Sequence, residues 1–217
     1  MKFKFSLKIK KKINIIENIL DDLYPNPSNN LYFINEYTLL IAIILTAKSK
    51  EQKVNEITKI FFKKFSSPKE LIGLSINEIE NNIKEIGLYK KKSHYIHKLS
   101  NDLIKKYKGV IPKNICLLKK LPGVGQKTAS VFLSYMNRNY SVFPIDTHIK
   151  RLMKRWKLSH GRSFKQTEKD AKKLFKEKHW KKLHLQLISY GREYSPSRNW
   201  NIEKDIIYNK LKKYNLL

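Results

Sequence analysis

The stretch Leu121-Pro-Gly-Val-Gly-Gln-Lys-Thr-Ala-Ser130 constrains this chain more than any other. Apolar residues recur at helical spacing on both sides of it, so it must reverse the chain between two helices. Pro122 fixes φ for a turn, and Gly123 can take φ > 0 without steric cost. Gly125 lets another backbone approach, and a helix then begins whose first N–H groups lack intrahelical partners. Those groups sit at a positive dipole end, which is a ready phosphate site. The pattern predicts a helix-hairpin-helix. Pro-Gly-Val-Gly alone also fits an ordinary helix-to-helix turn with a C-cap glycine.

The rest of the chain favours the first reading. Among its 217 residues, Lys plus Arg total 46 against 18 Asp plus Glu, a formal charge of +28. Such an excess is self-repelling unless it meets a polyanion, and nucleic acid is the first candidate. Apolar spacing predicts helices throughout. They include a buried one over Tyr37–Ala47, a short one over Ile76–Ile83, and a long amphipathic one marked by Tyr95, Leu99, Leu103 and Tyr107 and stopped by Gly109. Gln126–Met136, Thr147–Trp156 and Ile202–Leu211 follow. No sustained period-two alternation appears, so the fold class is all-α.

Cys116 is the only cysteine, which excludes an internal disulfide or a cysteine-ligated cluster within one chain. Flanked by Ile115 and Leu117, it is expected to be a small buried apolar residue. The basic N-terminus is not followed by a signal-peptide core, and the Tyr37–Ala47 run is too short to span a membrane. A cytoplasmic protein, associated with the nucleoid through DNA, is the expectation.

Two residues carry candidate chemistry. Lys127 falls in the first turn of the helix that follows the hairpin. An amine is nucleophilic only when neutral, and a cationic surround together with a helix N-terminus favours loss of its proton. A phosphate-contacting lysine is the plainer role. Asp146, in Pro144-Ile-Asp-Thr-His-Ile149, is well suited to cap the next helix. An ionised carboxylate there can also deprotonate an attacking group and stabilise an oxocarbenium-like sugar. The two roles are compatible.

Together, LPGVGQKTA and PIDTHIKR resemble the endonuclease III family of helix-hairpin-helix-GPD DNA glycosylases. Ile86-Gly-Leu-Tyr89 with Lys92, the segment Leu45-Thr-Ala47, and His184 to Gly191-Arg192 extend the likeness over roughly residues 10–195. The resemblance implies two helical lobes with a DNA-binding cleft between them. A central lobe over 24–138 holds the hairpin; residues 1–23 plus 139–217 make the other. It implies that Lys127 attacks C1′ of an extruded oxidised pyrimidine nucleotide with Asp146 assisting. The base leaves, and the Schiff base formed supports β-elimination at the abasic site. It also implies DNA contacts from Leu121, Gly123, Val124, Gly125, Gln126, Thr128, Lys48, Leu88, His148, Arg151 and Arg192, with Leu88 wedging into the duplex. The partner is double-stranded DNA carrying damaged bases or abasic sites, and the chain is expected to be a monomer.

Two positions depart from the family pattern. Lys48 stands where the family often has Gln, in the loop that fills the space of the extruded base. The stretch Gly191–Ile202 lacks the cysteines with which many members hold a [4Fe–4S] cluster, so no cluster, no metal and no other cofactor is expected. An apolar C-terminal helix carrying Ile207 and Leu211 is expected to clamp this end instead. A cluster-free 8-oxoguanine glycosylase/lyase, and a hairpin protein that binds DNA without catalysis, are the alternatives.

Overall fold

Tyr37 to Leu45, the most apolar stretch of the sequence, is buried all round in the computed structural model. Helices of this kind form the centre of a packed body, because no face needs to meet water. The structure describes residues 6–28, 31–136 and 142–217, and among them there are helices and no strand. The first half holds α1 (Leu7–Leu23), α2 (Glu36–Thr46), α3 (Glu51–Lys64), α4 (Pro68–Ile72), α5 (Ile76–Ile83) and α6 (Tyr89–Tyr107). Then come α7 (Ile115–Leu118), α8 (Gln126–Tyr135), α9 (Thr147–Arg155), α10 (Phe164–Leu174), a 3-10 turn at Glu177–His179, α11 (Trp180–Glu193) and α12 (Ile206–Lys213).

The chain divides into two compact units, Asn29–Tyr140 and Met1–Ser28 with Ser141–Leu217. The junction expected at 138/139 lies outside the described residues. In the Asn29–Tyr140 unit, α2 is the hub, packed against α3, α6 and α8. Its start is set locally: Asn35 and Thr38 form a reciprocal capping box. Ser67 with Glu70 and Ser75 with Glu78 do the same for α4 and α5. The other unit is built on an aromatic core in which Trp156, Tyr190 and Phe143 are wholly buried. Against it lie Ile16 and Leu20 from α1 and Ile207 and Leu211 from α12.

The amphipathic helix marked by Tyr95, Leu99, Leu103 and Tyr107 begins at Tyr89, where Leu88 accepts the first helical bond, from the Lys92 amide at 3.0 Å. Two expectations need correction. The last helix begins at Ile206 and not at Ile202, because Asp205 caps it by accepting from the Tyr208 amide at 3.0 Å. Cys116 is exposed. In the single turn α7, capped by Asn114, the inward face is taken by Leu118, and Cys116 falls on the other side.

Candidate active site

The hairpin is wound by short-range bonds before it reaches α8. The Leu121 amide donates to Leu118, and the Val124 amide donates to Leu121 at 3.1 Å. Gly123 has φ +76, and a β-carbon there would lie 3.0 Å from Tyr95 Cβ, so both conformation and space require glycine. Leu121 and Val124 turn their side chains into the core, which anchors the turn from beneath. Gly125, Gln126 and Lys127 are exposed, and Thr128 is half-buried. Gly125 is the N-cap of α8, offers no capping side chain, and would bring an added β-carbon against nothing within 4 Å. The helix start therefore presents open backbone, with Lys127 in its first turn, as an anion site requires.

Asp146 is 6% exposed and caps α9, its Oδ1 accepting from the Ile149 amide at 2.8 Å. The segment before it is fixed from α11: His184 Nδ1 donates to the Pro144 carbonyl at 2.9 Å. His148 stands in the first turn of α9. Its Nδ1 accepts from Arg151 Nη2 at 3.0 Å, and burial is the main influence lowering its pKa. The positive charge of Arg192 also acts at His148, and the charge of Asp146 opposes both. Gly191 lets α11 approach α9 here, since a β-carbon would come 2.9 Å from His148 Cβ.

Asp146, His148, Arg151 and Arg192 thus gather in one unit, and Leu121 to Thr128 with Lys127 in the other. Arg192 is exposed at the end of α11. Arg151 is directed inward. Its Nε donates to Ser195 O and its Nη2 to Gly191 O, both at 2.9 Å, with Nη1 at 3.4 Å from Thr147 O. These bonds tie the end of α11 to α9.

Lys48 and Leu88 come together in the Asn29–Tyr140 unit. Both have left-handed backbone, φ 55 and φ 62, which non-glycine residues rarely adopt. Gly87 allows the close approach: a β-carbon there would lie 2.6 Å from the Lys48 carbonyl oxygen. Leu88 is 55% exposed, so a bulky apolar side chain is displayed from a costly backbone. Such strain, of order 1–3 kcal/mol, persists only where the surroundings impose it. Lys92 is bonded to both segments. Its Nζ donates to Leu45 O at 2.8 Å, Ala47 O at 2.6 Å and Ser49 Oγ at 3.1 Å. Burial pushes its ammonium down to about 8. The family likeness singles out Lys92, but no local signal in the sequence marks it as buried.

The C-terminal stretch offers no home for an iron–sulfur cluster. Residues 191–217 contain neither cysteine nor histidine, so the donor set does not fit such a group. Instead the stretch is gathered on Asp205, which is wholly buried. Asp205 accepts from Tyr190 Oη at 2.6 Å, Trp200 Nε1 at 3.0 Å and the Tyr208 amide. Arg155 stacks on the Trp200 ring at 3.8 Å and donates to Ser195 O and Oγ. Ile207 and Leu211 pack beneath as expected, whereas Ile202 and Ile206 are exposed. The sequence reading anticipated the apolar half of this clasp and missed its polar centre.

Comparison with known proteins places this geometry in context. Residues 41–177 match the family model described as "HhH-GPD superfamily base excision DNA repair protein". The chain is 33% identical over 183 residues to endonuclease III of Bacillus subtilis (strain 168), covering 84% of this chain and 83% of that protein. Among solved structures, a trapped endonuclease III–DNA covalent intermediate superposes with a TM-score of 0.82 at 32% identity, covering 92% of both chains. A non-covalent endonuclease III–DNA complex gives 0.85 at 30% identity, covering 97% of this chain and 99% of that one.

Proposed function

Because the chain belongs to the HhH-GPD superfamily of base excision DNA repair proteins, we propose that it is a bifunctional DNA glycosylase and abasic-site lyase of the endonuclease III type. One observation carries this reading. An exposed lysine sits in the first turn of a helix start without a capping side chain, behind a Pro-Gly hairpin, in a chain that is 32% identical to an endonuclease III trapped covalently on DNA.

The chemistry follows from the two candidate residues. Lys127 Nζ, once neutral, attacks C1′ of the extruded nucleotide, and the C1′–N bond to the base breaks as the base takes up a proton. Opening of the sugar ring at C1′–O4′ leaves a protonated Schiff base on Lys127. Loss of a 2′ proton then expels the 3′ phosphate, and water releases the lysine. Asp146 assists attack and steadies the positive sugar. Its bond from the Ile149 amide orients the carboxylate for that role. The hairpin holds a phosphate through backbone N–H groups, Leu88 and Lys48 enter the opened duplex, and Arg192 and His148 line the Asp146 side.

Oxidised pyrimidines in duplex DNA are the proposed substrates, with the protein working as a monomer at the nucleoid. No helix among the described residues is long and apolar enough to cross a membrane. The enzyme works without an iron–sulfur cluster, a reading supported by the single cysteine of the sequence. Borohydride trapping on an abasic duplex is the test. A covalent adduct that disappears in Lys127→Ala supports the reading; no adduct with the wild type would leave a DNA-binding module only. A duplex panel of thymine glycol, 8-oxoguanine and an abasic site then assigns the lesion, and preference for 8-oxoguanine would overturn the pyrimidine assignment.

A further inference from the structure

Lys92 makes two kinds of connection at once. Through its backbone amide it bonds the Leu88 carbonyl at 3.0 Å, closing the first turn of α6 behind one displayed residue. Through its ammonium it bonds Ala47 O and Ser49 Oγ, which flank the other, Lys48, on both sides. The third bond, to Leu45 O, fastens it to the last turn of α2. An ammonium has three donors, and all three are used. The side chain itself is only 3% exposed and so is not available to DNA. Satisfying the end of α2 does not by itself require a lysine from the turn that carries Leu88. What this arrangement achieves is a fixed spacing between two left-handed residues at neighbouring loop tips.

We propose that Lys92 is a positioning residue for base extrusion: it locks Lys48 and Leu88 into one rigid pair that enters the duplex as a unit. The inference rests on the proposed glycosylase function. It places Lys92 upstream of the Lys127 chemistry, so extrusion depends on it and the covalent step does not.

The test compares wild type and Lys92→Met on two DNAs. On a thymine-glycol duplex, where the base must be extruded, single-turnover excision is expected to fall about 10- to 100-fold, the effect of a displaced positioning group. On a single-stranded abasic oligonucleotide, which needs no wedge, borohydride trapping is expected to stay within about twofold. The double variant Lys92→Met with Leu88→Ala is expected to excise no more slowly than the slower single variant, because both act on one step. Unchanged excision by folded Lys92→Met, equal losses on both DNAs, or fully multiplying effects would each overturn the proposal. If Lys92→Met does not fold, Gly87→Ala decides. It leaves the lysine in place but forces the Lys48 carbonyl away from the Leu88 loop, and wild-type excision by that variant would overturn the proposal. A wild type that neither excises nor traps refutes the glycosylase reading first and this inference with it.

Discussion

Two buried charges organise irregular chain in this protein, and they do so with opposite chemistry. Lys92 gathers acceptors: two carbonyls from the end of α2 and a serine hydroxyl. Asp205 gathers donors: a tyrosine hydroxyl, an indole N–H and a backbone amide. Each is a charge that burial alone would penalise, and each is made tolerable by a full set of bonds. Their surroundings differ in a telling way. The residues Lys92 restrains, Lys48 and Leu88, are strained and displayed outward. Of the residues Asp205 holds, Tyr190 is wholly buried and Trp200 and Tyr208 are half-buried, beside the buried Ile207 and Leu211. One clamp therefore serves what the surface does, and the other serves what the core needs.

The comparison predicts that stability and activity separate. The largest expected effect is on stability. A chain ending at Tyr194 loses Ile207, Leu211 and Leu216 from the core, each contributing roughly 1.5–3 kcal/mol of burial, in addition to the Asp205 bonds. That is comparable to the whole margin of an ordinary domain, so cooperative melting by calorimetry is expected to be lost. Retained melting would mean that the clasp is ornamental.

Next, Asp205→Ala leaves the buried Tyr190 hydroxyl and two half-buried donors, Trp200 Nε1 and the Tyr208 amide, without their acceptor. A loss of about 3–5 kcal/mol, lowering the melting temperature by roughly 10 °C, is expected. Excision per folded molecule should remain near wild type at low temperature. A selective loss of excision would break the contrast between the clamps.

A smaller effect tests the charge on Lys92. Its ammonium ionises near 8 when folded, below the ordinary lysine value of 10.5. Below about pH 8 the folded and unfolded chains both carry this proton, and the burial penalty is present in full. Between pH 8 and 10.5 the unfolded chain binds the extra proton, so stability rises with pH across that window. The difference in melting temperature between wild type and Lys92→Met should therefore move in favour of wild type from pH 8 to 10.5. A flat difference would show that Lys92 is not a buried charge. At the bottom of the scale, Cys116→Ser should alter stability by less than about 0.5 kcal/mol, because the side chain is exposed.

Much of the fold was legible because it is local. Helical apolar spacing and a proline–glycine turn act within a few residues of one another. The same holds for Lys127, one step into α8, and for Asp146, which caps α9 as expected. Where reading failed, the deciding partner was distant or the facing was ambiguous. Cys116 sits among apolar neighbours, but one turn of helix has an outer side. The inward bonds of Arg151 likewise depend on distant partners, Gly191 in α11 and Ser195 just beyond it.

The sequence by itself determined a helical protein with a phosphate-ready hairpin, a lysine at its mouth and a capping aspartate downstream. Period, turn chemistry and capping are properties of neighbours in the chain. Only the tertiary structure decided which charges went inside and what they hold. Lys92 meets carbonyls 45 and 47 residues away in sequence, and Asp205 meets a tyrosine 15 residues away. A buried charge is defined by the partners that surround it, and those partners are chosen by packing, not by the residues on either side.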